Sequence, residues 1–133
     1  MEPACDWPRV APLMVAMEAA GRDALASFGE RVHGYSHLSH VYGQGSSIYS
    51  TFVFRAGADF AASHARWQAL TQAVSAAIVA HGGTISHQHG VGKDHAPWLP
   101  AEKGAAGMAA LAAACRQFDP AGVMAPGHLL GDA

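Results

Sequence analysis

Apolar residues recur at helical spacing from Pro12, a residue suited to a helix's first turn: Leu13, Met17, Ala20, Ala24 and Phe28 fall on one side, up to a stop at Gly29. Residues 1–10, with Pro3 and Pro8 around Trp7, read as an irregular lead-in. The period then changes to two. Segments 33–42 and 47–55 are rich in Tyr, Ser, Val, Ile, Phe and Thr and flank Gly43-Gln44-Gly45-Ser46, which predicts a β-hairpin. In its second strand Ile48, Ser50, Phe52 and Phe54 share one face, so Phe52 and Phe54 belong in a core and Tyr49, with Thr51 and Val53, on the opposite face. A second helix follows, with Asp59 as N-cap, a stripe of Phe60, His64, Trp67, Thr71, Val74, Ile78 and His81, and an end at Gly82-Gly83. His64 and His81 lack a partner group and read as packed or edge residues. A short strand is expected at 84–87, then a loop with Lys93, Asp94, His95 and Pro97. Pro100 opens a third helix with Glu102 in its first turn and Met108, Leu111, Cys115 and Phe118 as its stripe. Asp119-Pro120 ends it, and Pro126-Gly127 marks a turn.

No repeat or linker interrupts this pattern, so residues 1–133 form one α+β domain with a small, mainly antiparallel sheet covered by helices. Charged residues are only 14% of the chain against 50% hydrophobic, which is low for a domain that stands alone and implies that part of its surface meets another domain or chain. The net charge of −2, without a Lys/Arg cluster, excludes nucleic acid and an anionic membrane as obvious partners. Cys5 and Cys115 lie far apart and in no metal or redox spacing, and nothing near Met1 resembles a signal peptide; together these point to a reducing, cytoplasmic setting.

The densest run of chemically capable side chains is 82–93, Gly-Gly-Thr-Ile-Ser-His-Gln-His-Gly-Val-Gly-Lys. On an extended backbone His87 and His89 would point to one side. Gly90 and Gly92 lack the Cβ that keeps other groups from the main chain, so a flat ligand could lie close. His33, His37 and His40 have helix-like spacing, but their neighbours favour a strand, in which His40 would point away from the other two. No Cys or acidic partner stands at a ligand-like spacing from His87 and His89, so a metal site is possible but unsupported by spacing. For proton chemistry the better pairing is an imidazole beside a phenol, Tyr49 with His89, provided hairpin and loop are neighbours. No nucleotide-phosphate cradle is present.

Four stretches in order, His37-Leu-Ser-His40-Val-Tyr42, Ser47-Ile-Tyr49, Gly82 to Gly92, and Leu99-Pro-Ala-Glu-Lys-Gly with Phe118-Asp-Pro, resemble the C-terminal domain of the FAD-linked oxidase family. The alkyl-dihydroxyacetone-phosphate synthase branch is the nearest in motif. The resemblance implies FAD held mainly by a separate N-terminal domain, absent from this chain, with the present domain walling the flavin ring. It implies catalytic roles for Tyr49, His89 and His87, and flavin contact by His87, Gln88, Gly90 and Gly92. D-2-hydroxy-acid dehydrogenases, a sister branch, hold a metal with two histidines and a glutamate. Here His40 matches the first histidine and Gln88 stands at the glutamate, so the resemblance argues against a metal. Gln88 also breaks the triple histidine of the synthase branch, and Met124-Ala-Pro-Gly-His128 departs from its tail pattern.

These features predict the substrate or cap domain of an FAD-dependent enzyme, acting with its N-terminal FAD-binding domain in cis or in trans. The substrate expected is a small hydroxy acid, oxidised, or a glycerone-phosphate-like compound that exchanges an acyl for an alkyl group without net redox change. The alternative is a non-catalytic split subunit or remnant that associates with a flavin-binding partner. A homo-oligomer is compatible with either.

Overall fold

The computed structural model describes residues 1–130, so the last three residues of the expected domain lie outside the described residues. The elements run β1 (Ala4–Asp6), α1 (Trp7–Ala26), β2 (His33–Val41), β3 (Gly45–Val53), α2 (Phe60–Ala80), a single 3₁₀ turn (Ala96–Trp98) and α3 (Leu99–Phe118). The three strands form one antiparallel sheet in the order β1-β3-β2. The α+β architecture is therefore the one the residue pattern predicts.

The hairpin forms where expected, with Tyr49 opposite His37 and Ile48 opposite Leu38. Ile48 and Ser50 are buried, Phe52 and Phe54 pack on the core, and Tyr49 and Val53 are exposed on the other face, as the two-residue period requires. Leu13, Met17 and Leu25 of α1 and Leu70, Val74 and Ile78 of α2 close over Ile48 and Ile85, each side chain contributing about 1.5–3 kcal/mol by burial. Gly21 lets α1 pack closely on the sheet, since a Cβ there would lie 2.5 Å from the Phe52 ring.

The lead-in is not irregular. Residues 4–6 pair with β3, Ala4 opposite Ser47 and Cys5 opposite Ser46, and α1 begins directly after them at Trp7. Pro8 takes the first-turn position assigned above to Pro12, which sits inside the helix, and the buried stripe extends back to Val10. The expected strand at 84–87 shrinks to one bridge, Thr84 with Ala4, because the backbone bends beyond it.

Asp59 caps α2 by accepting from the Ala62 amide at 2.8 Å. Its predicted stripe holds at Val74 and Ile78 but not at the start, where Phe60, His64 and Trp67 stack on one another in solvent with ring separations of 5.6 Å. His81 is an edge residue, its Nδ1 2.8 Å from the Ala77 carbonyl oxygen. α3 breaks its regular dihedrals at Gly104, and of its stripe Met108 and Leu111 pack on the core while Phe118 is exposed. The Pro126-Gly127 turn is present.

Candidate active site

Residues 1–3 extend the β1 pairing: the Ile48 amide donates to the Pro3 carbonyl at 2.8 Å and the Ser50 amide to that of Met1 at 2.9 Å. On the other side of this segment, the Thr84 amide donates to Ala4 at 2.9 Å and the His87 amide to the Glu2 carbonyl at 2.7 Å. The first residues of the chain thus lie between β3 and the histidine loop, and this brings a carboxylate, that of Glu2, into the site.

Glu2 is buried and is the hub. His89 Nε2 lies 2.5 Å from its Oε2, Ser39 Oγ donates to its Oε1, and His40 Nδ1 and His87 Nδ1 stand 3.6 and 3.7 Å from Oε1. Burial alone pushes this carboxyl up, but hydrogen bonds from Ser39 and His89, with the charge of His89 and His87, outweigh it and hold the pKa at about 2. Adjacent residues of a regular strand point to opposite faces, yet Ser39 and His40 both reach Glu2 because the register slips between Leu38 and Val41. The direction of His40 is therefore set by this slip and not by the regular alternation from which it was expected to point away from His33 and His37.

Tyr42 Oη lies 3.1 Å from His87 Nε2 and steadies that ring. Tyr49 stacks on His37 with ring centroids 5.2 Å apart and tilts toward His89 at 6.2 Å. Hairpin and loop are therefore neighbours, and Tyr49, His87 and His89 converge. The backbone that carries them is not extended: Gln88 has φ +69°, Gly90 +73° and Gly92 +57°, and both imidazoles reach Glu2 through this turn. Gln88, Gly90 and Gly92 are exposed, and a Cβ added at either glycine would meet nothing, so the left-handed backbone is the immediate reason for glycine there.

An imidazole between a buried carboxylate and an exposed phenol is suited to moving a proton, with the carboxylate fixing the ring's tautomer and orientation. A second capability sits beside it. Glu2, His40 and His87 each offer one ligand atom, all within 4.8 Å of one another. Glu2 gave no signal in the sequence, since an acid beside a proline has no periodicity and its partners lie far along the chain. The expectation of no metal rests on ligand spacing near His87 and His89 and on Gln88 at the carboxylate position, and neither registers Glu2.

Residues 1–129 match the family described as FAD linked oxidases, C-terminal domain. An alkyldihydroxyacetonephosphate synthase of Caenorhabditis elegans is 34% identical over 98 residues, 70% of this chain and 15% of the relative. The synthase of the same name from Trypanosoma brucei brucei is 28% identical over 115 residues, 86% of this chain and 18% of the relative. That of Dictyostelium discoideum is 33% identical over 64 residues, 48% of this chain and 10% of the relative. The chain spans less than a fifth of the length of these relatives. With nearly all of its length matched, the chain belongs to the family of FAD linked oxidases, C-terminal domain.

Proposed function

We propose that this chain is the substrate-side domain of a flavin-dependent enzyme, in which His89 acts as acid or base, Tyr49 donates to the oxygen that gains charge, and His87 positions the site. The single observation that carries the reading is the line Glu2–His89–Tyr49, a buried carboxylate 2.5 Å from an imidazole whose ring centre is 6.2 Å from that of an exposed phenol. Exposed Gln88, Gly90 and Gly92 beside it form a low rim, which fits a flat ring system presented by a neighbouring FAD-binding domain. FAD, when bound, supplies the electron-accepting chemistry; this chain's residues orient the substrate, hold its proton and keep water from the reacting carbon.

The substrate we infer is a small hydroxylated compound, a hydroxy acid or a glycerone-phosphate-like ketone. The synthase names of the relatives favour the second. In the complete flavoenzyme, Tyr49→Phe and His89→Ala should each lower turnover by about two to four orders of magnitude. Unchanged turnover in both variants would sink the assignment. An anaerobic screen for flavin bleaching separates the two substrate classes, because only the hydroxy acid leaves the flavin reduced.

A further inference from the structure

We propose that Glu2, His40 and His87 bind one divalent transition-metal ion of the zinc class. Two imidazole nitrogens and one carboxylate oxygen are a donor set such ions favour, and three protein ligands leave a fourth position for water. In a tetrahedral site with bonds of about 2.0–2.1 Å, neighbouring ligand atoms lie about 3.4 Å apart. Glu2 Oε1 is already 3.6 Å from His40 Nδ1 and 3.7 Å from His87 Nδ1, which brings two of the three ligand edges within a few tenths of an ångström of that value, and the third lies within 4.8 Å.

An independent observation points the same way. His87 Nδ1 is buried without any hydrogen-bond partner, an arrangement that costs free energy unless something accepts its lone pair. The other nitrogen of that ring faces Tyr42 Oη at 3.1 Å. Donation from Nε2 to this oxygen leaves Nδ1 as the free lone pair, which is how outer hydrogen bonds set a metal-ligating histidine. His40 Nδ1 is engaged only weakly, at 3.3 Å from Ser39 Oγ and 3.4 Å from Ser47 Oγ. His89 occupies Oε2, while Oε1 accepts from Ser39 Oγ with one lone pair and keeps the other for the ion. One positive ion against the single carboxylate leaves a net positive centre beside His89, suited to an anionic or carbonyl-bearing ligand in the fourth position.

The test needs neither flavin nor activity, so it stands apart from the proposed enzymatic role. The full-length protein, purified without an affinity tag that binds metal and stripped with a chelator, is titrated with Zn²⁺ by calorimetry and with Co²⁺ by visible absorption. One equivalent of Zn²⁺ per chain and the intense visible bands of four-coordinate Co²⁺ are expected. Glu2→Gln, His40→Ala and His87→Ala should each weaken binding about 100-fold or more, and Tyr42→Phe about 10-fold or more. His64→Ala, in the exposed aromatic stack of α2 and outside the ligand cluster, should leave it unchanged. Circular dichroism checks folding, and exposed His40 keeps the test decisive if the Glu2 variant does not fold. Absence of stoichiometric binding, or binding that survives both His40→Ala and His87→Ala, overturns the proposal.

Discussion

Gly21 and Glu102 show how much rests on single residues outside the site. Alanine is the better helix former by about 1 kcal/mol, yet Gly21→Ala would drive its Cβ into Phe52 at 2.5 Å. Overpacking outweighs propensity here, and a net loss of about 1–3 kcal/mol is expected in urea unfolding. Glu102 accepts from the Ile85 amide and the Thr84 hydroxyl, both at 2.9 Å, and so anchors the start of the histidine loop to α3. Burial raises its pKa, but the hydrogen bonds from Lys103, Ile85 and Thr84 prevail and hold it below the ordinary 4.5. A depressed carboxyl stabilises the fold fully above its unfolded pKa and loses that contribution as pH falls through the folded one. Glu102→Gln should therefore cost about 1 kcal/mol at neutral pH, and the difference from wild type should vanish in acid, as pH-dependent melting would reveal. Residues of this kind divide by legibility. Tyr49, His87 and His89 stand in a recognisable run, while Glu2 and Gly21 acquire meaning only from partners far along the chain.

At the scale of elements, local signals were read correctly wherever the residue itself does the work. Asp59 caps α2 through its own side chain, and Asp59→Ala should lower stability by about 1 kcal/mol, read from the melting midpoint. Periodicity served less well at helix starts. The line drawn through Phe60, His64 and Trp67 drifts off the core because α2's first turns extend beyond it, whereas Leu70, Val74 and Ile78 face it. Phe60→Ser should accordingly change stability by less than about 0.5 kcal/mol. β1 was illegible for another reason: three residues after a proline carry no pattern, and their strand character comes wholly from pairing with Ser47 and Thr84. The same pairing explains why α1 starts at Trp7, whose amide donates to the Gln44 carbonyl at 3.1 Å.

Across the whole molecule, helices cover one face of the sheet, and the other shows Tyr35, His37, Tyr49 and Val53 to solvent. No helix among the described residues is long and apolar enough to cross a membrane. In the proposed assembly an FAD-binding domain is the partner, and the low charge of the chain fits a surface that such a domain covers. Tyr35→Ser with Val53→Thr should leave the melting temperature nearly unchanged yet weaken association with that domain, measurable by sedimentation of the separately expressed halves. The placement of the first six residues has a further consequence, for the order of assembly. They precede both of their neighbours in the chain, one of which arrives only with β3 and the other only with Thr84 and His87. Helices and hairpin can form from local contacts while Glu2 waits, because long-range closure is the slow step. The candidate site is thus the last part of the domain to close, and a chain halted before His87 would carry most of the core but neither imidazole of the loop that completes it.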